Sequence, residues 1–150
     1  MLLSLVLLAS CALEPTTIAL DVDLSGYEEE VHPYTQIACG TLDCHGDPGR
    51  PLRIFSEYGL RISSSLRDMP ITTEEIEESA FSFAGLGIPE LATLKPLSID
   101  AGGYGHEGGP VWNTREDPGY RCVRAWLDGR VGEEREACET ARENVEVEEP

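Results

Sequence analysis

Cys39-Gly40-Thr41-Leu42-Asp43-Cys44-His45-Gly46 is the stretch on which the reading of this chain turns. Two cysteines followed directly by a histidine is the order of covalent haem attachment, C-x-x-C-H. Each thiol adds to one haem vinyl group, and the histidine that follows turns its imidazole to the iron. Here four residues separate the cysteines instead of two. Two readings therefore stand side by side. One is a variant haem site built on Cys39, Cys44 and His45; the other is a short disulfide loop with a bystander histidine.

Six-coordinate iron needs a second axial ligand. His106 is the natural candidate, because it sits in the glycine-rich segment Gly102-Gly103-Tyr104-Gly105-His106-Glu107-Gly108-Gly109. Glycines let a backbone come close to a flat cofactor. A second imidazole gives low-spin iron suited to electron transfer. Met69 is the rival distal ligand, and Met/His ligation raises the potential. His32, near a helix start, reads as a surface residue.

Other chemistries fit less well. Cys39, Cys44, His45 and His106 also amount to the two thiolates and two imidazoles of structural zinc, but an adjacent Cys-His pair suits one tetrahedral centre poorly. Asp21-Val22-Asp23-Leu24-Ser25-Gly26 has the first half of a calcium loop. His32 then stands at the twelfth position, where a bidentate glutamate belongs. Gly103 to Gly108 matches G-x-G-x-x-G without a strand before it, so dinucleotide binding is not expected. No nucleophile elbow or other catalytic constellation stands out, and the chain does not read as an enzyme.

Outward from these motifs the pattern is helical. Val31, Tyr34, Ile37 and Ala38 repeat at helical spacing and predict a helix over 27–45, with Pro33 in its first turn. Thr72-Thr73-Glu74-Glu75 fits a capping box, with Thr72 as N-cap and Glu75 at N3. Ile76, Ala80, Phe83 and Ala84 then share a face, and Gly85 and Gly87 close the helix. Residues 88–99 predict a short helical turn and a loop. Asp117-Pro118 is a preferred helix entry. Tyr120, Val123 and Leu127 form one stripe from it, with Cys122 and Trp126 beside the stripe. Trp112 and Trp126 read as core residues. Residues 133–143 predict a last short helix carrying Cys138, followed by a frayed acidic tail. The fold expected is a small, mainly α domain with long loops.

The chain has 150 residues, 41% of them hydrophobic and 7% aromatic, which suits one domain with a modest core. A core of this size often needs a staple or a cofactor. The formal charge of −17 repels nucleic acid and anionic lipid and suits a basic partner or a cation. The N-terminal Met-Leu-Leu-Ser-Leu-Val-Leu-Leu-Ala-Ser-Cys has too short an apolar run for a membrane span but suits the h-region of a signal peptide. Leu8-Ala9-Ser10-Cys11 resembles a bacterial lipobox, so Cys11 is the expected lipidation site, although no basic residue precedes it. This divides the chain into a signal peptide at 1–10, a lipid-anchored tether at 11–26, a domain at 27–130 and an acidic helix and tail at 131–150. The expected location is the cell envelope, on its periplasmic or extracellular side. Disulfides and covalent haem are both permitted there. With Cys11 lipidated, sequence proximity pairs Cys122 with Cys138, and Cys39 with Cys44 unless haem takes the first pair. Closing the Cys122–Cys138 loop would stabilise the fold by about 3 kcal/mol.

Three segments in order carry a resemblance: CGTLDCHGDPGRPLRIFSEYGLR (39–61), LATLKPLSIDAGGYGHEGGPVW (91–112) and DPGYRCVRAWLDG (117–129). Together they resemble cytochrome-c-like modules of secreted myxobacterial and planctomycete proteins. Those modules share a C-x4-C-H-G start, an L-x-K-P stretch, an H-G-G segment and a closing helix ending in W-[LI]-x-G. The resemblance implies a cytochrome-c-like helical domain. It implies haem c held by Cys39 and Cys44, His45 as proximal ligand and His106 as distal ligand. It also implies one-electron transfer with a redox partner protein. Here the third motif reads His106-Glu107-Gly108-Gly109, one residue away from H-G-G. The opposing expectation is a haem-free, disulfide-stapled envelope lipoprotein that acts as a binding or structural module.

Overall fold

A computed structural model of the chain describes residues 22–86, 88 and 90–146. The fold is mainly α. Among the described residues there is no strand, only isolated bridges between Phe55 and Leu60 and between Leu97 and Trp112. None of the described helices is long and apolar enough to cross a membrane. Cys11 and Asp21 lie outside the described residues.

The first helical run is composite: α1 (Leu24–Gly26), a π turn (Tyr27–Val31) and α2 (His32–Ala38). Asp23 caps it, its Oδ1 accepting the Gly26 N–H at 2.9 Å. Asp23, the third residue of the calcium-like stretch, thus serves as a helix cap. The π turn has a cause in Pro33. Proline has no N–H to give, and its ring crowds the carbonyl four residues back. Widening the turn by one residue, so that the His32 N–H reaches the Tyr27 carbonyl, carries the helix past that point.

Two expectations change here. His32 is not a surface residue. It is 1% exposed, and its Nε2 pairs with the Phe55 carbonyl at 3.0 Å. The widened turn brings Val31 and His32 to the inner side together. The helix also stops at Cys39 instead of running to His45, because the Thr35 carbonyl takes both the Cys39 and Gly40 N–H groups at 2.9 Å and the chain turns away.

α3 (Thr73–Ala84) begins with the capping box read from the sequence: Thr72 Oγ1 accepts the Glu75 N–H, and the Glu75 carboxylate accepts the Thr72 N–H. Ile76, Ala80 and Phe83 face inward. α4 (Leu91–Leu94) is a single turn. α5 (Pro118–Leu127) starts on Asp117, whose Oδ1 accepts the Gly119 N–H at 3.0 Å. Beyond Gly129, which sits at φ 68°, the chain enters α6 (Arg135–Glu146). α6 starts two residues later and runs three residues further than the 133–143 segment read from the sequence, and it packs into the core. Val131, Cys138 and Ala141 join the same core, and Cys138 Sγ is bonded to Cys122 Sγ at 2.13 Å.

The core is organised around Tyr27. Its ring lies 4.8 Å from Trp126, 5.9 Å from Phe83 and 5.7 Å from His32, centre to centre. Trp126 in turn donates its indole N–H to the Asp23 carbonyl at 2.9 Å, which ties α5 to the start of the chain's first helix. Buried aromatics keep their polar atoms paired, since an unpaired buried donor costs about 1–3 kcal/mol. Tyr27 meets the same requirement through Thr35 Oγ1 at 3.3 Å, and its burial raises the phenol pKa.

A second organising contact is charged. Arg61 and Glu75 form a bidentate pair, with Nε to Oε1 and Nη2 to Oε2 both at 2.9 Å, and Glu75 is fully buried. Glu75 also accepts the N–H groups of Ile62 and Thr72 and the Thr72 hydroxyl. Arg61 spends its remaining donors on the carbonyls of Leu66, Met69 and Pro70. The pair thereby holds the whole 61–72 loop against the start of α3. Burial alone would raise the Glu75 pKa. The hydrogen bonds from Arg61, Ile62 and Thr72 outweigh it and hold the carboxyl down at about 2.

A folded-state pKa below the unfolded one contributes stability above the unfolded value and loses it as pH falls through the folded value. For Glu75 the window runs from 4.5 down to about 2. About 3 kcal/mol of stability is expected to disappear across it, at about 1.4 kcal/mol per unit. Glu75→Gln should cost about 3–5 kcal/mol near neutral pH, because Arg61 is left buried without its partner. Urea melts of both proteins near neutral pH and at about pH 3 check this. The gap between them should narrow on acidification, and a gap that stays constant would contradict the assignment.

Candidate functional site

The site begins where α2 ends. Cys39 caps the helix, and the chain folds back on itself through a turn in which the Cys44 and Gly46 N–H groups reach the Thr41 carbonyl at 3.0 and 2.9 Å. The His45 N–H returns to the Cys39 carbonyl at 2.9 Å, and the His45 carbonyl accepts from Ile54 at 2.9 Å. Glycines make this path passable. A Cβ on Gly46 or on Gly59 would run into the Gly40 carbonyl, and one on Gly46 would also stand 2.7 Å from the Thr41 carbonyl. The same Gly40 oxygen accepts the buried Ser56 hydroxyl. Three backbone segments thus meet at one carbonyl, and their meeting fixes where His45 stands.

His106 arrives on a separate support. Leu97 and Trp112 bridge the base of its loop, the Ser98 N–H reaches the Trp112 carbonyl at 2.8 Å, and the Tyr104 N–H reaches the Leu94 carbonyl at 2.9 Å. Trp112 donates its indole N–H to the Tyr34 hydroxyl at 2.8 Å, which joins this loop to α2. The glycines around His106 serve the loop's own course. Gly105 and Gly109 lie at φ 82° and 86°, where a side chain is strained.

The two imidazoles meet. Their ring centres are 5.8 Å apart, with planes inclined at 37°. Each ring is held by the same device. His45 Nδ1 donates to the Leu52 carbonyl at 3.1 Å, and His106 Nδ1 donates to the Gly109 carbonyl at 3.0 Å. A carbonyl only accepts, so Nδ1 carries a proton in both rings, and Nε2 is the lone-pair donor of such a ring in its neutral form. Metal-binding histidines use this arrangement, one nitrogen tied to a carbonyl and the other free for the metal. Burial lowers the His45 pKa. The Leu52 carbonyl opposes that shift, and the nearby His106 and Arg50 add to it. His45 is therefore neutral at neutral pH, the form that binds metal.

Cys39 and Cys44 are both free and half-buried, with no disulfide between them. Burial, together with the neighbouring Cys44, pushes the Cys39 thiol up to about 12, so it stays protonated and is a poor nucleophile of its own accord. Met69 is 54% exposed in the loop held by Arg61, and it is His106 whose ring meets that of His45. Among the described residues no group of three or more His, Cys, Asp or Glu converges as a site for a metal ion. Were a haem bound here, it would bring four of the iron's ligands itself, and His45, His106, Cys39 and Cys44 are the residues that would supply the remaining donors and the thioether sulfurs.

Several contributors lie outside the sequence motifs. Leu52 and Gly109 act through carbonyl oxygens, which no side-chain pattern announces. Ser56 and Gly59 act by closing on Gly40. Arg50 Nη1 pairs with Glu107 Oε2 at 2.9 Å, linking the residue after His106 to the end of the His45 loop.

No family model, curated protein or solved structure matches the chain.

If the Gly40 junction sets His45, then Gly46→Ala and Gly59→Ala should each cost about 1–3 kcal/mol, the usual range for forcing atoms into filled space. Gly132→Ala is the control, since a Cβ there meets nothing within 4 Å. Denaturant midpoints of the three variants check it. Equal stability in all three would show that the junction is not tight.

Proposed function

We propose that the chain is an extracytoplasmic, c-type-cytochrome-like electron carrier, anchored through a lipid on Cys11. Cys39 and Cys44 hold haem c as thioethers, and His45 and His106 supply the axial imidazoles. The observation that carries this reading is the facing pair of histidines, each tied at Nδ1 to a carbonyl with Nε2 left over. The haem, when bound, supplies reversible one-electron chemistry. The protein's part is to hold both rings and to keep His45 neutral by burying it. With His45 and His106 both as ligands, a bound haem would pass electrons and would offer no iron position to a substrate. With a formal charge of −17, the surface favours a redox partner with a basic face and disfavours nucleic acid.

A second reading rests on a different observation. Tyr27, Phe83 and Trp126 already pack on one another, and Trp112 on Tyr120, so the aromatic core is closed by protein alone. A haem-free envelope lipoprotein, acting as a binding or structural module, needs no more than this core and the Cys122–Cys138 staple.

The absorption spectrum of protein made with haem-attachment machinery separates the two. The carrier should be coloured and low-spin. His45→Ala should lose the low-spin spectrum, His106→Ala should keep haem but open the sixth position to small ligands, and Cys44→Ala should weaken attachment. Colourless protein from such a host would favour the second reading. The anchor has its own test. Cys11→Ser should move the protein from membranes to the soluble fraction, and its retention on membranes would contradict lipidation.

A further inference from the structure

The two histidine loops have separate foundations. One hangs from α2 and the Gly40 junction, the other from the Leu97–Trp112 base. Where they come together, Arg50 and Glu107 bridge them. Arg50 Nη1 lies 2.9 Å from Glu107 Oε2. Arg50 ends the turn that follows His45, and Glu107 directly follows His106. Asp47, closer to Arg50 in sequence, is committed elsewhere: its Oδ1 accepts the Gly49 N–H at 2.7 Å. Side-chain exposure is 42% for Arg50 and 87% for Glu107, so water and salt reach both partners. An exposed pair of this kind is weak and is screened by ions. It does not build the fold, yet it sits where a small bias acts directly on the His106 loop.

We infer that the Arg50–Glu107 ion pair is a salt-sensitive latch that holds the His106 loop against His45. Arg50 and Glu107 are positioning residues, and neither takes part in ligation. Opening the latch frees the His106 loop to swing. In the haem-bound protein it also makes His106 easier to displace by an outside ligand; only this second consequence rests on the haem reading. The expected effect is roughly two- to five-fold, the range of an exposed ion pair.

Two measurements test it, both on the full chain. The first uses haem-free protein and follows amide hydrogen exchange across residues 104–109. Glu107→Gln should speed exchange there by roughly two- to five-fold, and high salt should do the same to the wild type but add nothing to the variant. The charge swap Arg50→Glu with Glu107→Arg should restore the slow exchange. Exchange that is indifferent to both the variant and salt would overturn the latch. The second uses ferric haem-bound protein with cyanide as the probe. Glu107→Gln should bind cyanide more tightly by a similar factor, and the charge swap should reverse it. Unchanged cyanide affinity in Glu107→Gln would overturn the control of His106. A chain that takes up no haem defeats the proposed function, and the exchange measurement then decides the latch by itself.

Discussion

The Gly40 carbonyl is the point on which the site depends. The end of α2, the turn after His45 and the Ser56–Gly59 segment all close on it, through the Ser56 hydroxyl and through two glycines with no room for a Cβ. This contact turns a flexible C-x4-C-H stretch into one that presents its histidine in a single direction. Without it, the longer spacing between the cysteines would leave His45 free to wander. With it, the Leu52 carbonyl holds Nδ1, and the His45 ring stands 5.8 Å from that of His106.

The rest of the molecule keeps that junction in place. The aromatic cluster around Tyr27 fixes the first helical run against α3 and α5, and the Cys122–Cys138 bond fixes α5 against α6. Arg61 and Glu75 do the same for the 61–72 loop by burying a pair whose every hydrogen bond is used locally. Burying two charges is costly, and the structure offsets that cost with backbone and hydroxyl donors to the carboxylate and carbonyl acceptors for the guanidinium. The fold and the site are therefore linked through α2, which carries Tyr34 toward Trp112 at the base of the His106 loop and ends at Cys39.

What was legible in the sequence was local. The Thr72–Glu75 capping box and the Asp117-Pro118 entry stand as read, because each depends on residues a few positions apart. His45 and His106 were singled out as residue types in a neighbourhood, and the structure sets their rings 5.8 Å apart. The π turn was not, because it answers to Pro33 and to the burial of Tyr27 together; the misplacement of His32 follows from it. The end of α2 at Cys39 was missed because the Gly40 junction is built from segments distant in the chain. The Arg50–Glu107 pair had no signal at all: with 28 acidic residues and 11 basic ones, sequence alone gives no reason to match any two.

The central claim is that Cys39 and Cys44 are spent on haem. The most direct test is the intact mass of the denatured, reduced protein from a haem-competent host, combined with thiol alkylation. The account predicts a gain of one haem, with Cys39 and Cys44 both refusing alkylation while Cys122 and Cys138 react once reduced. An unchanged mass, with Cys39 and Cys44 alkylated after reduction, would contradict it.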